Sequence, residues 1–171
     1  MGDVFLEQII KKKSTIKENL IKALILLGAI LVFIFMFQFV WISEFGFGSF
    51  AFLIAVGVLV LAWYIISGLN LEFEYIYTNG EIDIDKISAK RKRKRMLTVR
   101  INSFETFGKY DSEKLKAEKF EKTFHACTNI HDEGVYYVIF HGKEGQKCLL
   151  TMSPNEKLIE VIEKQMKHRI R

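Results

Sequence analysis

The sequence LEFEYIYTNGEIDIDKI, residues 71–87, is the clearest indication of how the charged part of the chain folds. Large side chains recur at every second position, which is the period of a β-strand with one buried face. Asn79 and Gly80 then form a dipeptide in which both residues tolerate the positive φ of a type I′ turn. Such a turn pairs two tyrosines with two isoleucines on one face. The pairs are Tyr77 with Ile82 and Tyr75 with Ile84.

Five further stretches downstream of this hairpin have strand-like sequences. They are RMLTVRI (95–101), FETFGKY (104–110), KTFHACT (122–128), VYYVIFH (135–141) and KCLLTM (147–152). Residues 112–119 predict a short helical turn between two of them. The sequence therefore predicts seven short strands in about a hundred residues.

The chain ends in a predicted amphipathic helix. Ser153 is placed to cap it, Pro154 suits its first position, and Glu156 completes an S-x-x-E capping box. Apolar side chains then recur at steps of four and form one stripe for packing against the sheet. These residues are Leu158, Ile162, Met166 and Ile170.

Upstream of the hairpin the composition changes completely. Between residues 23 and 71 the only charged side chain is Glu44, and two apolar runs of about 23–43 and 47–69 flank it. About twenty residues of helix, at about 1.5 Å rise each, span the roughly 30 Å hydrocarbon core of a bilayer. Ala51 and Ala55 have the spacing of a helix contact. Residues 23–70 therefore predict a transmembrane helical hairpin.

Lysines before the first span and after the second indicate the orientation of this hairpin, because Lys and Arg accumulate on the cytoplasmic side. The connecting loop has neither. We expect a multi-pass protein of the inner membrane with both termini cytoplasmic. The basic segment 1–22 has two interpretations, an amphipathic segment at the headgroups or a solvated tail.

Two spans, seven strands and a terminal helix resemble a membrane helical hairpin followed by a pleckstrin-homology (PH) fold. The string EYIYTNGEIDIDKI, with KRKRMLTVRINSFE after it, is similar to an uncharacterised bacterial family of small two-span proteins. The resemblance implies an α+β, mainly β, PH-like domain over 71–171, with about seven antiparallel strands in two bent sheets closed by the C-terminal helix. It implies a recognition scaffold with no catalytic residue. Lipid-binding PH domains have basic residues around the first hairpin loop, which here is TNGE, so a phosphoinositide site is not implied.

Six basic residues in a row follow the first hairpin: Lys90, Arg91, Lys92, Arg93, Lys94 and Arg95. Such a run can be a solvated turn that blunts a strand edge, a contact for anionic lipid headgroups, or a contact for an acidic protein. No aromatic residues are interleaved for base stacking, so we expect no nucleic acid partner. The run lies about twenty residues beyond the second span, which favours the membrane surface.

Two other groups carry candidate chemistry. Glu81, Asp83 and Asp85 share one strand face and could hold a hard cation, or pair across the strand with Arg95, Thr98 and Arg100. The second group is the H-x-C-x3-H pattern of His125, Cys127 and His131. Zinc needs four converging ligands, so we expect exposed histidines, packed free cysteines, no metal and no cofactor.

These observations predict a non-enzymatic integral membrane protein whose cytoplasmic PH-like domain binds or scaffolds a partner at the inner membrane surface. The partner is anionic lipid or a protein, and the spans permit homo-oligomers or docking to a complex. One alternative is a structural subunit of a larger membrane complex. Another is a metal- or thiol-dependent enzyme that uses the His/Cys cluster, although the sequence has no nucleophile elbow, Walker loop or H-E-x-x-H.

Overall fold

The computed structural model describes residues 4–42, 48–142 and 145–169. The chain divides into two compact units. One comprises Ser14–Asn70, and the other combines Met1–Lys13 with Leu71–Arg171.

The first unit consists of two helices, α1 (Ile16–Ile42) and α2 (Gly48–Gly68). Within them, Ile16–Gln38 and Phe50–Gly68 are long and apolar enough to cross a membrane. Most of their large apolar side chains are exposed, whereas small alanines are buried between the helices. These are Ala29, Ala51, Ala55 and Ala62. The two predicted apolar helices are confirmed, and Ala51 and Ala55 lie in their contact. The predicted loop between them lies outside the described residues.

Helix α1 begins several residues before the uncharged run that predicted it. The Thr15 amide donates to Glu18 Oε2 (3.0 Å), and the Asn19 amide donates to the Thr15 carbonyl (2.9 Å). This is half of a T-x-x-E capping box, which fixes the first turn ahead of the apolar residues. The signal stands in the sequence STIKE, residues 14–18.

The second unit contains two four-stranded sheets. The first sheet has strands β1 (Phe5–Lys11), β2 (Leu71–Thr78), β3 (Glu81–Ser88) and β4 (Lys92–Arg100), all antiparallel and in that spatial order. The predicted hairpin is confirmed: Tyr77 pairs with Ile82 and Tyr75 with Ile84. Asn79 and Gly80 have φ of 46° and 93°, as a type I′ turn requires.

Strand β1 corrects both interpretations of residues 1–22, neither of which included a strand. It pairs with β2 along its whole length and buries Ile10 in the core. The Gln8 side chain donates to the Ser153 carbonyl (3.0 Å) and accepts from the Asn155 amide (2.8 Å). Its partner strand lies sixty residues away in the sequence, so local pattern alone could not identify the pairing.

The second sheet contains β5 (Phe104–Lys109), β6 (Lys122–Ala126), β7 (Tyr136–His141) and β8 (Lys147–Met152). Its spatial order is β5-β7-β8-β6. All seven predicted strands are therefore present. One pairing differs from the expected antiparallel sheets, since β6 runs parallel to β8. Strand β8 is antiparallel to β7 on one side and parallel to β6 on the other.

Two helices complete this unit. The short α3 (Ser112–Lys116) is capped by Asp111, whose carboxylate accepts from the Glu113 amide (3.0 Å). The terminal helix α4 spans Glu156–Arg169. Its cap is Asn155, whose Oδ1 accepts from the Leu158 amide (2.9 Å). The predicted Ser153 cap is wrong, because the Ser153 hydroxyl accepts from the Thr128 amide instead.

The core lies between the inner faces of the two sheets, and α4 covers it with Leu158 and Ile162. Tyr75 joins the layers: its hydroxyl donates to the Ala126 carbonyl and accepts from the Ser153 amide (3.0 Å). Burial raises the pKa of Tyr75 well above its usual value, so the phenol stays protonated. The predicted α4 stripe is buried at Leu158 and Ile162 and half-buried at Met166, while Ile170 lies outside the described residues.

Candidate functional site

The basic run occupies the turn between β3 and β4 and the first half of β4. Ala89 and Lys90 have φ of 53° and 55°, and the Arg91 amide donates to the Ser88 carbonyl (3.0 Å). Left-handed backbone without glycine is uncommon. The tight turn starts β4 at Lys92, and strand alternation then sends successive basic side chains to opposite faces.

The two arginines on the outer face of the sheet are held by carboxylates. Arg93 donates to Glu74 (2.8 Å). Arg95 pairs with Asp85 and with Asp83 (2.5 Å). The hydrogen bond to Asp85 is the main reason that the pKa of Arg95 is raised. Both guanidinium groups therefore form ion pairs within the sheet.

Glu74 is the most enclosed of these carboxylates, with no exposed surface. It lies on the outer face of the sheet, where side chains of adjacent strands cover it. This burial raises the pKa of Glu74, Arg93 opposes the rise, and the carboxylates of Glu7 and Asp85 reinforce it. Ionising the Glu74 carboxyl is therefore unfavourable, and the positive charge of Arg93 beside it partly offsets this cost.

The acidic row of β3 pairs across the strand as one of its two interpretations predicted. Asp83 accepts from the Thr98 hydroxyl (2.6 Å), and Glu81 lies 3.7 Å from the Arg100 guanidinium. Glu81, Asp83 and Asp85 lie opposite Arg100, Thr98 and Arg95 in the strand pairing. These carboxylates neutralise the positive charges of Arg95 and Arg100 on the neighbouring strand.

The lysines of the run have a different environment, on the inner side of the sheet beyond the end of the core. Lys94 lies directly opposite Lys86, and Lys92 lies opposite Ser88. Like charges on opposed residues destabilise a strand pair. Within the described parts of the chain, none of Lys86, Lys90, Lys92 and Lys94 makes an ion pair. The sequence did not identify Lys86 as a site residue. The register set by Asn79-Gly80, together with a tight turn between β3 and β4, would have placed it opposite the basic run.

Further lysines converge on the same end of the sheet. Lys11 lies opposite Glu72, and the Lys12 amide donates to the Leu71 carbonyl (2.9 Å). Leu71 is in turn opposite Ser88, beside the basic turn. The chain therefore passes between the two units at this end of the sheet, on either side of the helical segment.

Lys13 is anchored beside them. Its amide donates to the Thr128 carbonyl (2.8 Å), and its ammonium contacts Asp132 (2.9 Å). The hydrogen bond from Lys13 is the main cause of the lowered pKa of Asp132. Lys13 thus connects the end of the first sheet to the loop that follows β6.

The His/Cys pattern lies elsewhere. The Thr151 hydroxyl contacts both His125 Nδ1 (3.0 Å) and Cys127 Sγ (3.6 Å), and His131 is exposed on a loop. The described residues contain no group of three or more His, Cys, Asp or Glu that could hold a metal ion. Cys127 and Cys148 are buried and free, as predicted. Burial raises the pKa of the Cys127 thiol, whereas a reactive cysteine requires a lowered one.

Comparison with known proteins identifies one family. A family model described as a bacterial PH-like domain, DUF6106, matches residues 2–171. No curated protein matches the chain, and no solved structure matches it.

Proposed function

Since the chain belongs to the bacterial PH-like domain family DUF6106 over nearly its whole length, we propose that it is a non-enzymatic, membrane-anchored recognition module. Its two apolar helices anchor it, in the inner membrane with both termini cytoplasmic. The basic end of the first sheet binds anionic lipid headgroups. The lysines that carry this binding are Lys86, Lys90, Lys92 and Lys94, which we call the lysine cluster.

The observation that carries this proposal is the opposition of Lys86 and Lys94. Two ammonium groups on opposed residues of a strand pair repel each other and destabilise the sheet unless an anion lies between or beside them. Departures from local consistency of this kind concentrate at functional positions. By contrast, Arg93 and Arg95 form ion pairs within the sheet, so the proposed binding surface does not include them.

Chain connectivity supports a membrane as the source of the anion. Helix α2 ends at Gly68, three residues before Leu71, and Leu71 lies opposite Ser88 at the basic turn. Three residues of extended chain reach about 10 Å. Each basic residue near an anionic surface contributes about 1 kcal/mol, so the four lysines of the cluster contribute about 4 kcal/mol at low salt.

The test uses the full chain reconstituted into nanodiscs. An Ala89→Cys variant carries a donor fluorophore at the hairpin turn, with Cys127→Ala and Cys148→Ala in the background, and an acceptor labels the lipid headgroups. We expect greater energy transfer in phosphatidylcholine with phosphatidylglycerol than in phosphatidylcholine alone. The difference disappears as salt is raised, because the surface potential is screened.

Two triple variants complete the experiment. Lys86→Gln, Lys92→Gln and Lys94→Gln together abolish the difference, whereas Lys109→Gln, Lys116→Gln and Lys119→Gln remove the same charge from exposed positions elsewhere and keep it. Equal energy transfer in both lipids, or an equal response of the two triple variants, contradicts the proposal. The structural-subunit alternative remains a prediction that a stably co-purifying protein would support.

A further inference from the structure

A second surface of the PH-like unit is independent of the lysine cluster. A groove of about 820 Å³ lies between β4, at the edge of the first sheet, and β6, at the edge of the second. Six consecutive residues of β4, Arg95–Arg100, line it. Successive side chains of a strand point to opposite faces, so a strand that lines a groove with consecutive residues presents its backbone edge to it.

The outer edge of β4 has no strand partner among the described residues. The Arg100 carbonyl accepts from the Ser103 hydroxyl (2.7 Å), and the other outward-facing amides and carbonyls of β4 can hydrogen-bond to an added strand. A bulge at Met96 separates the basic half of β4 from its second half, since Asp85 pairs with Arg95 and Ile84 with Leu97. The second half keeps a regular register with β3 and so offers a regular edge.

The side of the groove opposite β4 is lined by side chains, whereas β4 lines it with its backbone edge. Phe124 of β6 and Phe140 of β7 have ring centroids 6.3 Å apart, and both line the groove together with Cys148. Phe124 is only half-buried, as are Met96 and Leu97 across the groove. The floor thus offers apolar contact for every second side chain of an extended segment.

Charge at the rim indicates what kind of segment binds. Arg100 is 77% exposed, Lys122 is exposed, and His141 stands at the end of β7. Glu81 is the one acidic residue among the described residues that line the groove, and it lies 3.7 Å from Arg100. The rim therefore carries excess positive charge above an apolar floor.

We propose that an extended acidic segment of a partner protein binds in this groove by adding a strand to β4. Its backbone pairs with β4 from Leu97 to the Arg100 amide, its apolar side chains contact the Phe124 and Phe140 rings, and its acidic side chains face Arg100 and Lys122. Strand addition of this kind gives affinity through main-chain hydrogen bonds and specificity through alternate side chains.

The test measures binding of fluorescein-labelled octapeptides to the full chain in phosphatidylcholine nanodiscs. The probe alternates Glu with Val. One control peptide replaces each Glu with Lys, and another keeps the probe sequence but methylates every second backbone nitrogen. We expect saturable anisotropy for the probe, at least tenfold weaker binding for the Lys peptide, and none for the methylated peptide. Hydrogen exchange slows within Arg95–Arg100 when the probe binds.

Protein variants separate the groove from general charge attraction. Arg100→Glu with Lys122→Glu weakens probe binding at least tenfold, whereas Lys109→Glu with Lys116→Glu, at exposed positions outside the groove, leaves it unchanged. Absence of saturable binding, equal binding of the methylated peptide, or protection outside β4 overturns the proposal. Self-association of the chain that the groove variants abolish would assign the groove to a second copy and also overturn it.

Discussion

Lys86 and Lys94 lie directly opposite each other in the pairing of β3 with β4, at the end of the sheet where the chain passes to the helical unit. Their repulsion has a consequence for stability that is separate from any ligand. Replacing one ammonium by a carboxylate converts a repulsive pair into an attractive one, worth about 0.2–1 kcal/mol.

We therefore expect Lys94→Glu to raise the melting temperature of the full chain in neutral detergent by a few degrees while abolishing the response to anionic lipid. Unfolding can be followed with a thiol-reactive dye, because Cys127 and Cys148 are both buried. Lys94→Gln should be intermediate in stability. A lower melting temperature for Lys94→Glu would show that the lysine pair is not strained.

Glu74 predicts a pH dependence. Its pKa is raised above the usual value of 4.5 in the folded chain, so above pH 4.5 and up to the raised pKa the folded state binds more protons than the unfolded state. The contribution of Glu74 to stability is therefore lost as pH rises through this window. Glu7, Asp85 and Arg93 face Glu74 and are unchanged in a Glu74→Gln variant.

The stability of the wild type relative to Glu74→Gln should thus fall as pH increases from 4.5, and level off above the raised pKa. Melting temperatures of both chains across pH 4.5–8 measure this difference, in which the titration of groups that do not interact with Glu74 cancels. A difference that grows with pH would place the pKa of Glu74 below its usual value.

Strand β1 predicts which fragment can fold. A chain of residues 71–171 leaves the edge of β2 unpaired and removes Ile10 from the core, so we expect it to unfold at lower urea concentration than a domain that keeps β1. Because the Lys12 amide bonds to the Leu71 carbonyl, a four-residue Gly/Ser connection can join Lys13 to Leu71. Circular dichroism and urea unfolding compare the two, and equal midpoints would show that β1 adds nothing.

Removing the Tyr75 hydroxyl should lower the free energy of unfolding substantially. In Tyr75→Phe the Ala126 carbonyl and the Ser153 amide both lose a buried partner, at about 1–3 kcal/mol for each unsatisfied group. Tyr77→Phe is the matched control, because its hydroxyl accepts one half-buried hydrogen bond from Gln165. We expect urea unfolding of the joined domain to show a greater loss for Tyr75→Phe than for Tyr77→Phe.

Local pattern predicted much of the architecture. Alternation and the Asn79-Gly80 turn identified β2 and β3 with their register, and the apolar runs identified both helices, because these signals depend on near neighbours in the chain. The cap of α4 was misplaced by two residues, since Ser153 and Asn155 are both good cap residues. The contact from Thr128 to Ser153 left the cap to Asn155.

The candidate site was predicted as the basic run Lys90 to Arg95, with Arg95 also interpreted as a partner of the acidic strand, and the tertiary structure separates the arginines from the lysines. Arg93 and Arg95 are neutralised by carboxylates from β2 and β3, while Lys92 and Lys94 lie on the other face, where Lys94 is opposite Lys86. The groove between β4 and β6 was not predicted at all, because it exists only where the edges of two sheets approach.

Short-range sequence patterns were enough to identify the two apolar helices, seven of the eight strands found in the described residues, and the order of the elements, because hydrophobic period and turn chemistry act over a few residues. Three features follow from the folded chain alone: residues 5–11 form β1, β6 is parallel to β8, and the lysines rather than the arginines of the basic run are left without a carboxylate partner. Each of these depends on strands distant in the chain lying side by side, where backbone hydrogen bonds and opposed charges select one register among many.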